Sequence, residues 1–148
     1  DLASLADTLS LAFAEPWSVS RIRTSLLESP DVSAVYVVTW QDLPVATASS
    51  QQLTAKYPGM GWVHWVGTHP NHTRRGLAAA LIERVIDDFK SRGYRSAALW
   101  TDDFRLPAIR TYLRFGFLPS YDVEGEDHRD RWSAIFQSAM SRPASHHR

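Results

Sequence analysis

The most constraining feature of the sequence is a change of hydrophobic period between Gly61 and Arg92. From Trp62 to Thr68 the residues favour a strand, whose side chains alternate between two faces. After Gly76 the period becomes helical, and apolar residues recur at positions 77, 81, 85 and 89. This stretch therefore predicts a strand, a short basic loop and a long helix, which Gly93 closes in the left-handed conformation.

The loop before that helix has the chemistry of a phosphate site. The first N–H groups of a helix have no internal partner and lie at the positive end of its dipole, so they attract anions. Gly76 lets the backbone approach a ligand without a Cβ in the way, and Arg74 and Arg75 supply guanidinium groups for phosphate oxygens. The alternative is a tight turn with solvated arginines, and spacing alone does not decide between them.

Other patterns place the remaining elements. Helices are predicted over residues 2–13 and from Ser18 or Ser20 to about Glu28, where serine can cap the second helix. The β-branched and aromatic residues favour a hairpin and a later strand. A helix follows that strand, and Asp102 or Asp103 could cap it. The hairpin strands are 32–39 and 45–53, and the later strand is 94–101.

Two motifs resemble those of the GNAT acetyltransferase superfamily. Residues 68–78, THPNHTRRGLA, resemble its acyl-CoA pyrophosphate loop, V-x-P-x-x-[QR]-x-x-G-x-[GA]. Residues 103–117, DFRLPAIRTYLRFGF, resemble its next element, N-x-x-A-x-x-x-Y-x-x-x-G-F, in the expected order and at the expected distance. The sequence departs from the family pattern at Thr73, where Gln or Arg is usual, and at Arg105, where Asn is usual.

The resemblance implies a mixed α/β (α+β) fold, with a mostly antiparallel central sheet flanked by helices. One parallel strand pair, 63–68 and 94–101, would splay to hold acyl-CoA. A single acyltransferase domain would span residues 1–140 without the family's first strand, followed by a disordered tail over 141–148. Helical spacing predicts a helix over 127–140, where the family usually has a strand.

The resemblance also implies acetyl-CoA as co-substrate, no metal, and a set of coenzyme-binding residues. These residues are Val66, Gly67, Thr68, Thr73, Arg74, Arg75, Gly76, Leu77, Ala78 and Arg105. Tyr112 matches the family's tyrosine that protonates the leaving thiolate, although an aromatic residue on an apolar helix face is by itself usually core. Phe13, Trp17 and Ile22 are candidates for contact with the acceptor or ordinary core residues.

His64 is the candidate catalytic base, because a histidine with a pKa of about 6.5 is mostly neutral at pH 7 and can accept a proton. Strict alternation puts it on one face with Trp62, Val66 and Thr68. There Trp62 would partly desolvate the imidazole and lower its pKa. The alternatives are a histidine that only shapes the pocket, or a one-residue bulge that makes Trp65 the cleft residue.

The implied function is transfer of an acetyl group from acetyl-CoA to a primary amine, by direct attack without a covalent enzyme intermediate. The acceptor would be a small molecule, a peptide N-terminus or a lysine. The alternative is a non-catalytic acyl-CoA-binding domain of a tandem acetyltransferase-like protein. A nucleotide-binding module of another kind is less compatible with the sequence, because the sheet has one crossover and no repeated βαβ units.

The amino-acid composition excludes some kinds of site and partner. The sequence has no cysteine, which excludes a cysteine nucleophile and a thiolate metal site. Its formal net charge is zero, so no broad field favours nucleic acid or a membrane surface, and we expect neither as a partner. No signal peptide is visible, so the cytoplasm is the default compartment. A homodimer is a candidate assembly.

Overall fold

The computed structural model describes residues 1–140. The chain divides into two compact units, Asp1–Trp100 and a second that begins at Thr101, taken here in turn. The single acyltransferase domain over 1–140 stays a prediction. The predicted disordered tail, 141–148, lies outside the described residues.

The first unit combines a four-stranded sheet with three α-helices, close to the predicted element order. Its elements are α1 (Leu2–Phe13), α2 (Val19–Ile22) extended by a π-helical turn (Arg23–Leu27), β1 (Val32–Trp40), β2 (Leu43–Gln52), β3 (Met60–Thr68), α3 (Leu77–Ser91) and β4 (Ser96–Leu99). The Ser18 side chain accepts a hydrogen bond from the Arg21 N–H, which confirms the predicted cap. Gly93 has a φ of 75°, as expected of the residue that closes α3.

The sheet has the order β1-β2-β3-β4 and is antiparallel except for its last pair. The predicted parallel pairing of β3 with β4 is confirmed, but it runs only from Met60↔Ser96 to Val63↔Leu99. Beyond Val63, no residue in the described part of β4 pairs with β3. The second half of β3 therefore keeps a free edge on the β4 side.

The helices cover both faces of this sheet. A core on one face is formed by α1, α2 and the segment between them, with Leu9 and Ile22 fully buried. On the other face α3 buries the stripe that its period predicted, including Leu81, Val85 and Phe89. These two faces are called the α1 face and the α3 face below.

The second unit contains α4 (Leu106–Arg114), a short hairpin of β5 (Asp122–Val123) and β6 (Glu126–Asp127), and α5 (Arg129–Met140). The helix predicted near 127–140 is thus confirmed, and the Asp127 carboxylate accepts a hydrogen bond from the Arg129 N–H at 3.0 Å. Within residues 1–140, none of the helices combines the length and apolar character needed to cross a membrane.

The predicted capping of α4 by an aspartate is wrong. Arg105 occupies the cap position, and no side chain caps it by a hydrogen bond. The two aspartates are used elsewhere: Asp102 accepts from Arg105 Nε at 3.1 Å, and both oxygens of Asp103 bind the guanidinium of Arg131 at 2.7 and 3.0 Å.

Candidate functional site

Strand β3 contains a β-bulge at Trp65. Thr47 pairs with Gly67 and Ser49 pairs with His64, so one residue of β2 faces two residues of β3. Trp65 has a φ of 47°, in the left-handed region that bulky residues rarely adopt and that costs about 1 to 3 kcal/mol. Such strain persists only where the surrounding structure holds it, and bulges are frequent beside active sites.

The bulge reverses the faces that later residues of β3 occupy. A Cβ added at Gly61 would lie 2.5 Å from Phe89 of α3, whereas one added at Gly67 would lie 2.9 Å from Phe13 of α1. The two glycines are an even number of residues apart, so an unbroken strand would place them on the same face. The close approach of each neighbour also explains why both positions are glycine.

The strict alternation predicted for β3 is therefore wrong beyond Trp65. His64 precedes the bulge and shares the α1 face with Trp62, whereas Val66 and Thr68 lie on the α3 face. The inference that His64 and Thr68 share a face fails for this reason. The bulge also turns Trp65 to the α1 face, where its ring lies 5.5 Å from that of His64.

The imidazole of His64 is neutral at pH 7. Burial lowers its pKa from 6.5 to about 4, because the charged form is penalised when water is removed. Its Nδ1 atom is buried and has no hydrogen-bond partner within the described residues. A neutral imidazole can accept a proton, but a pKa of about 4 makes it a weak base.

We expect a His64→Gln variant to lose less stability than the parent when the pH falls from 6.5 to 4. The folded-state pKa is depressed, so the unfolded chain binds more protons in this window and the parent's free energy of unfolding falls as the pH drops. The shift from 6.5 to about 4 corresponds to about 3 kcal/mol, which partial exposure reduces to about 2 kcal/mol. Urea denaturation of both proteins at pH 7 and pH 4 measures the difference, and identical pH dependences would contradict the depressed pKa.

Aromatic rings surround Trp65 on the α1 face. Its ring contacts those of Phe13 and Trp17 edge-on, with centroids 5.0 and 4.8 Å apart. The guanidinium of Arg21 lies 3.9 Å from the centroid of Trp17 and donates to the Glu15 carboxylate at 2.9 Å. The three candidate acceptor contacts lie in or against the core on the α1 face: Trp17 and Ile22 are buried members of it, and Phe13 packs against it.

The predicted phosphate loop forms an open turn at the start of α3. Its backbone bends through left-handed residues at Arg74 (φ 62°) and Gly76 (φ 74°). A Cβ added at Gly76 would meet nothing within 4 Å. Ala80 donates the helix's first N–H bond, to the Gly76 carbonyl, so the N–H groups of residues 77–79 precede any internal bond.

The side chains of this loop complete a basic surface. Arg74, Arg75 and Gly76 are exposed, whereas Leu77 and Ala78 are half-buried in the first turn. The Thr73 hydroxyl donates to the Pro70 carbonyl at 3.2 Å, which stabilises the loop itself. The residue types fit an anion, because open N–H groups, two guanidinium groups and a glycine lie in one short segment.

The free edge of β3 offers a second set of backbone groups. Gly67 and Thr68 pair with Thr47 and Ala46 of β2 on one side. On the β4 side the parallel pairing has already ended at Val63. Backbone groups of Val66 to Thr68 on that side are thus available to an extended ligand, which can add to a sheet edge as a strand does.

In the second unit, Tyr112 lies on the buried side of α4 and is 9% exposed. Burial raises the pKa of Tyr112 to about 12, while the charge of Arg105 opposes that rise. Its ring contacts that of Phe117 at 6.2 Å. The phenol is therefore protonated at neutral pH, as a proton donor must be.

The described residues contain no group of three or more His, Cys, Asp or Glu side chains that could hold a metal ion. The two loop histidines, His69 and His72, lie with their rings 5.7 Å apart. His69 Nδ1 accepts from the Asn71 N–H at 3.1 Å, so that nitrogen stabilises the turn.

Comparison with known proteins identifies one family. The profile described as "Acetyltransferase (GNAT) family" matches residues 2–117. The mycothiol acetyltransferase of Actinosynnema mirum is 33% identical over 81 residues, which are 55% of this chain and 23% of that protein. The match thus spans less than a quarter of the length of this curated relative.

Solved structures share the fold over most of the chain. The ribosomal-protein-S18-alanine N-acetyltransferase from Escherichia coli is 22% identical with a TM-score of 0.67, covering 86% of this chain and 81% of its own. AAC(6')-Iy, solved with the bisubstrate analogue CoA-S-monomethyl-acetylneamine, is 15% identical with a TM-score of 0.68, covering 82% of this chain and 87% of its own. At these identities the likeness supports the mixed α/β fold.

Proposed function

Because the chain belongs to the GNAT acetyltransferase family, as its two motifs predicted, we propose that it transfers an acetyl group from acetyl-CoA to a primary amine. The observation that carries the proposal is the open turn at the start of α3, with Gly76 in the left-handed region and two exposed arginines beside it. A solved relative of the same fold holds a CoA-containing analogue, which supports this choice of co-substrate.

Acetyl-CoA would bind to the open turn before α3 and to the free edge of β3, both in the first unit. The pyrophosphate would accept hydrogen bonds from the N–H groups of the turn, with the guanidinium groups neutralising its charge. The residues proposed for this contact are Thr73, Arg74, Arg75, Gly76, Leu77 and Ala78. The pantetheine amides would pair with the free edge of β3 at Val66, Gly67 and Thr68. Arg105, whose Nε already binds Asp102, is a further candidate contact.

The chemistry requires no covalent enzyme intermediate. The neutral amine attacks the thioester carbonyl carbon, the new C–N bond forms as the C–S bond breaks, and charge that develops on the carbonyl oxygen is stabilised by backbone N–H groups of β3. His64 accepts the proton that the amine loses, directly or through water. Tyr112 gives its phenolic proton to the departing thiolate.

The test is thiol release from acetyl-CoA in the presence of a panel of primary amines, with mass spectrometry of the acceptors. We expect amine-dependent release together with acetylated acceptor. Coenzyme binding without transfer to any amine would instead favour the non-catalytic acyl-CoA-binding domain. The cytoplasm as compartment and a homodimer as assembly stay predictions.

A further inference from the structure

A tight hairpin turn displays a tryptophan at the end of β1. Trp40 pairs with Leu43 of β2, and the turn residues between them, Gln41 and Asp42, have φ values of 49° and 63°. Positive φ at both central positions is the geometry of a type I′ turn, whose twist matches that of the two strands it joins. Trp40 is therefore held in place by the hairpin, although 55% of its surface is exposed.

This hairpin lies beside the basic loop that precedes α3. The N–H of His69 donates to the Val45 carbonyl at 2.7 Å, which joins the start of the loop to β2. The guanidinium carbon of Arg75 lies 6.0 Å from the centroid of the Trp40 ring. The His72 ring lies 6.4 Å from the same ring and is inclined to it by 53°. Trp40 thus borders the turn proposed to bind the pyrophosphate, and all of these residues belong to the first unit.

The exposed indole and the basic loop together suit a ligand that has both a planar ring and phosphate groups. An aromatic side chain can stack on any nucleic-acid base, whatever the hydrogen-bonding pattern of that base. The inclined His72 ring does not stack flat on Trp40, so ring surface remains for another planar group. Arg75 lies near the outer limit of a cation–π contact, which is about 6 Å, and its guanidinium can still bind phosphate oxygens.

We propose that Trp40 stacks on the adenine ring of CoA, and that this contact makes the protein select acyl-CoA over donors that carry only the 4′-phosphopantetheine arm. The inference rests on the proposed acetyl transfer and adds a nucleotide subsite to its coenzyme site. In CoA a single ribose separates the pyrophosphate from the adenine, so a ring 6.0 Å from Arg75 is within reach of the base. The β3 edge and the turn before α3 would bind parts that both kinds of donor share, whereas Trp40 contacts a part that only CoA has.

Two acetyl donors that differ in the nucleotide test this subsite. Acetyl-CoA carries the adenosine, whereas S-acetyl-4′-phosphopantetheine ends at its first phosphate, and calorimetry measures the affinity of each. We expect Trp40→Ala to bind acetyl-CoA about 10-fold more weakly than the parent, because it loses one base–aromatic stack. Its affinity for S-acetyl-4′-phosphopantetheine should stay within about 2-fold of the parent, as for an ordinary surface substitution.

The other half of CoA gives an independent readout. Adenosine 3′,5′-bisphosphate should compete with acetyl-CoA for the parent, and should compete much more weakly for Trp40→Ala. Trp40→Phe keeps an aromatic ring and should restore most of the affinity for acetyl-CoA. Trp100→Ala is the matched control, because Trp100 is 57% exposed in the same unit but stacks on Trp62 with ring centroids 5.6 Å apart. This control should bind both donors as the parent does.

The two donors separate failure of the inference from failure of the proposed function. Equal weakening of both donors in Trp40→Ala would mean that Trp40 only shapes the loop, and no weakening of either would mean that the adenine lies elsewhere. Equal affinities of the parent for the two donors would remove the selectivity. Each of these results overturns the inference and leaves the proposed coenzyme site intact. If the parent binds neither donor, the proposed function fails, and the inference with it.

Discussion

An Ala78→Glu variant should bind acetyl-CoA at least 100-fold more weakly than the parent. Ala78 lies in the first turn of α3, two residues after Gly76 in the open turn. A carboxylate there would face the pyrophosphate at short range, and like charges in contact cost several kcal/mol. The fold should persist, because an acidic residue in the first turn of a helix is favourable.

Isothermal titration calorimetry with acetyl-CoA measures this effect, and Ala78→Ser is its matched control. Serine is small and neutral, so its affinity should stay within about 3-fold of the parent. A substitution at Ala78 tests the ligand contact alone. At Gly76, where φ is 74°, any side chain would strain the backbone as well as block the site. Unchanged affinity in Ala78→Glu, with the fold intact, would place the pyrophosphate elsewhere.

A Tyr112→Phe variant should turn over at least about 10-fold more slowly while its affinity for coenzyme A stays near that of the parent. The variant loses only a hydroxyl, and loss of a general acid typically costs 10²- to 10⁴-fold, less where another donor substitutes. Burial raises the pKa of Tyr112 to about 12, so the phenol stays protonated through the usual assay range. Its ionisation should therefore cause no fall in kcat as the pH rises to 10.

The parent and Tyr112→Phe should be compared by single-turnover kinetics, because these measure the rate of the chemical step separately from product release. Tyr121→Phe is the control, since Tyr121 is a partly exposed tyrosine of the same unit. Equal single-turnover rates in the parent and in Tyr112→Phe would return Tyr112 to a packing role. Loss of coenzyme affinity in Tyr112→Phe would assign it to binding and not to proton transfer.

The helices and turns that depend only on the spacing of nearby residues were predictable from the sequence. Apolar spacing of 3.6 residues defined α3, and the same spacing at Trp132 and Ile135 correctly favoured a helix where the family has a strand. The turn at Gly76 was predictable because a glycine directly before a helical apolar pattern is typical of a tight turn in the left-handed conformation. Such features depend on neighbours within a few residues, which the sequence displays directly.

The bulge at Trp65 could be named from the sequence only as an alternative to strict alternation, and the sequence did not decide between the two. It arises from a register shift against Thr47 and Ser49, partners that lie more than a dozen residues away. Alternation is a local rule, so it assigned His64 and Thr68 to one face with nothing in β3 itself to contradict it. The stacking of Arg21 on Trp17 was missed for a related reason, because the sequence gives no signal for an arginine that packs beneath a ring.

The most direct test of the central claim is the mapping of backbone amide chemical shifts as acetyl-CoA is added to the ¹⁵N-labelled protein. We expect the largest shifts at Thr73 to Ala79, where the phosphate would bind, with a second group at His64 to Thr68 along the free edge of β3. Small shifts at both segments with saturable shifts elsewhere, or no saturable shifts at all, would contradict the claim that this turn and this strand edge bind the coenzyme.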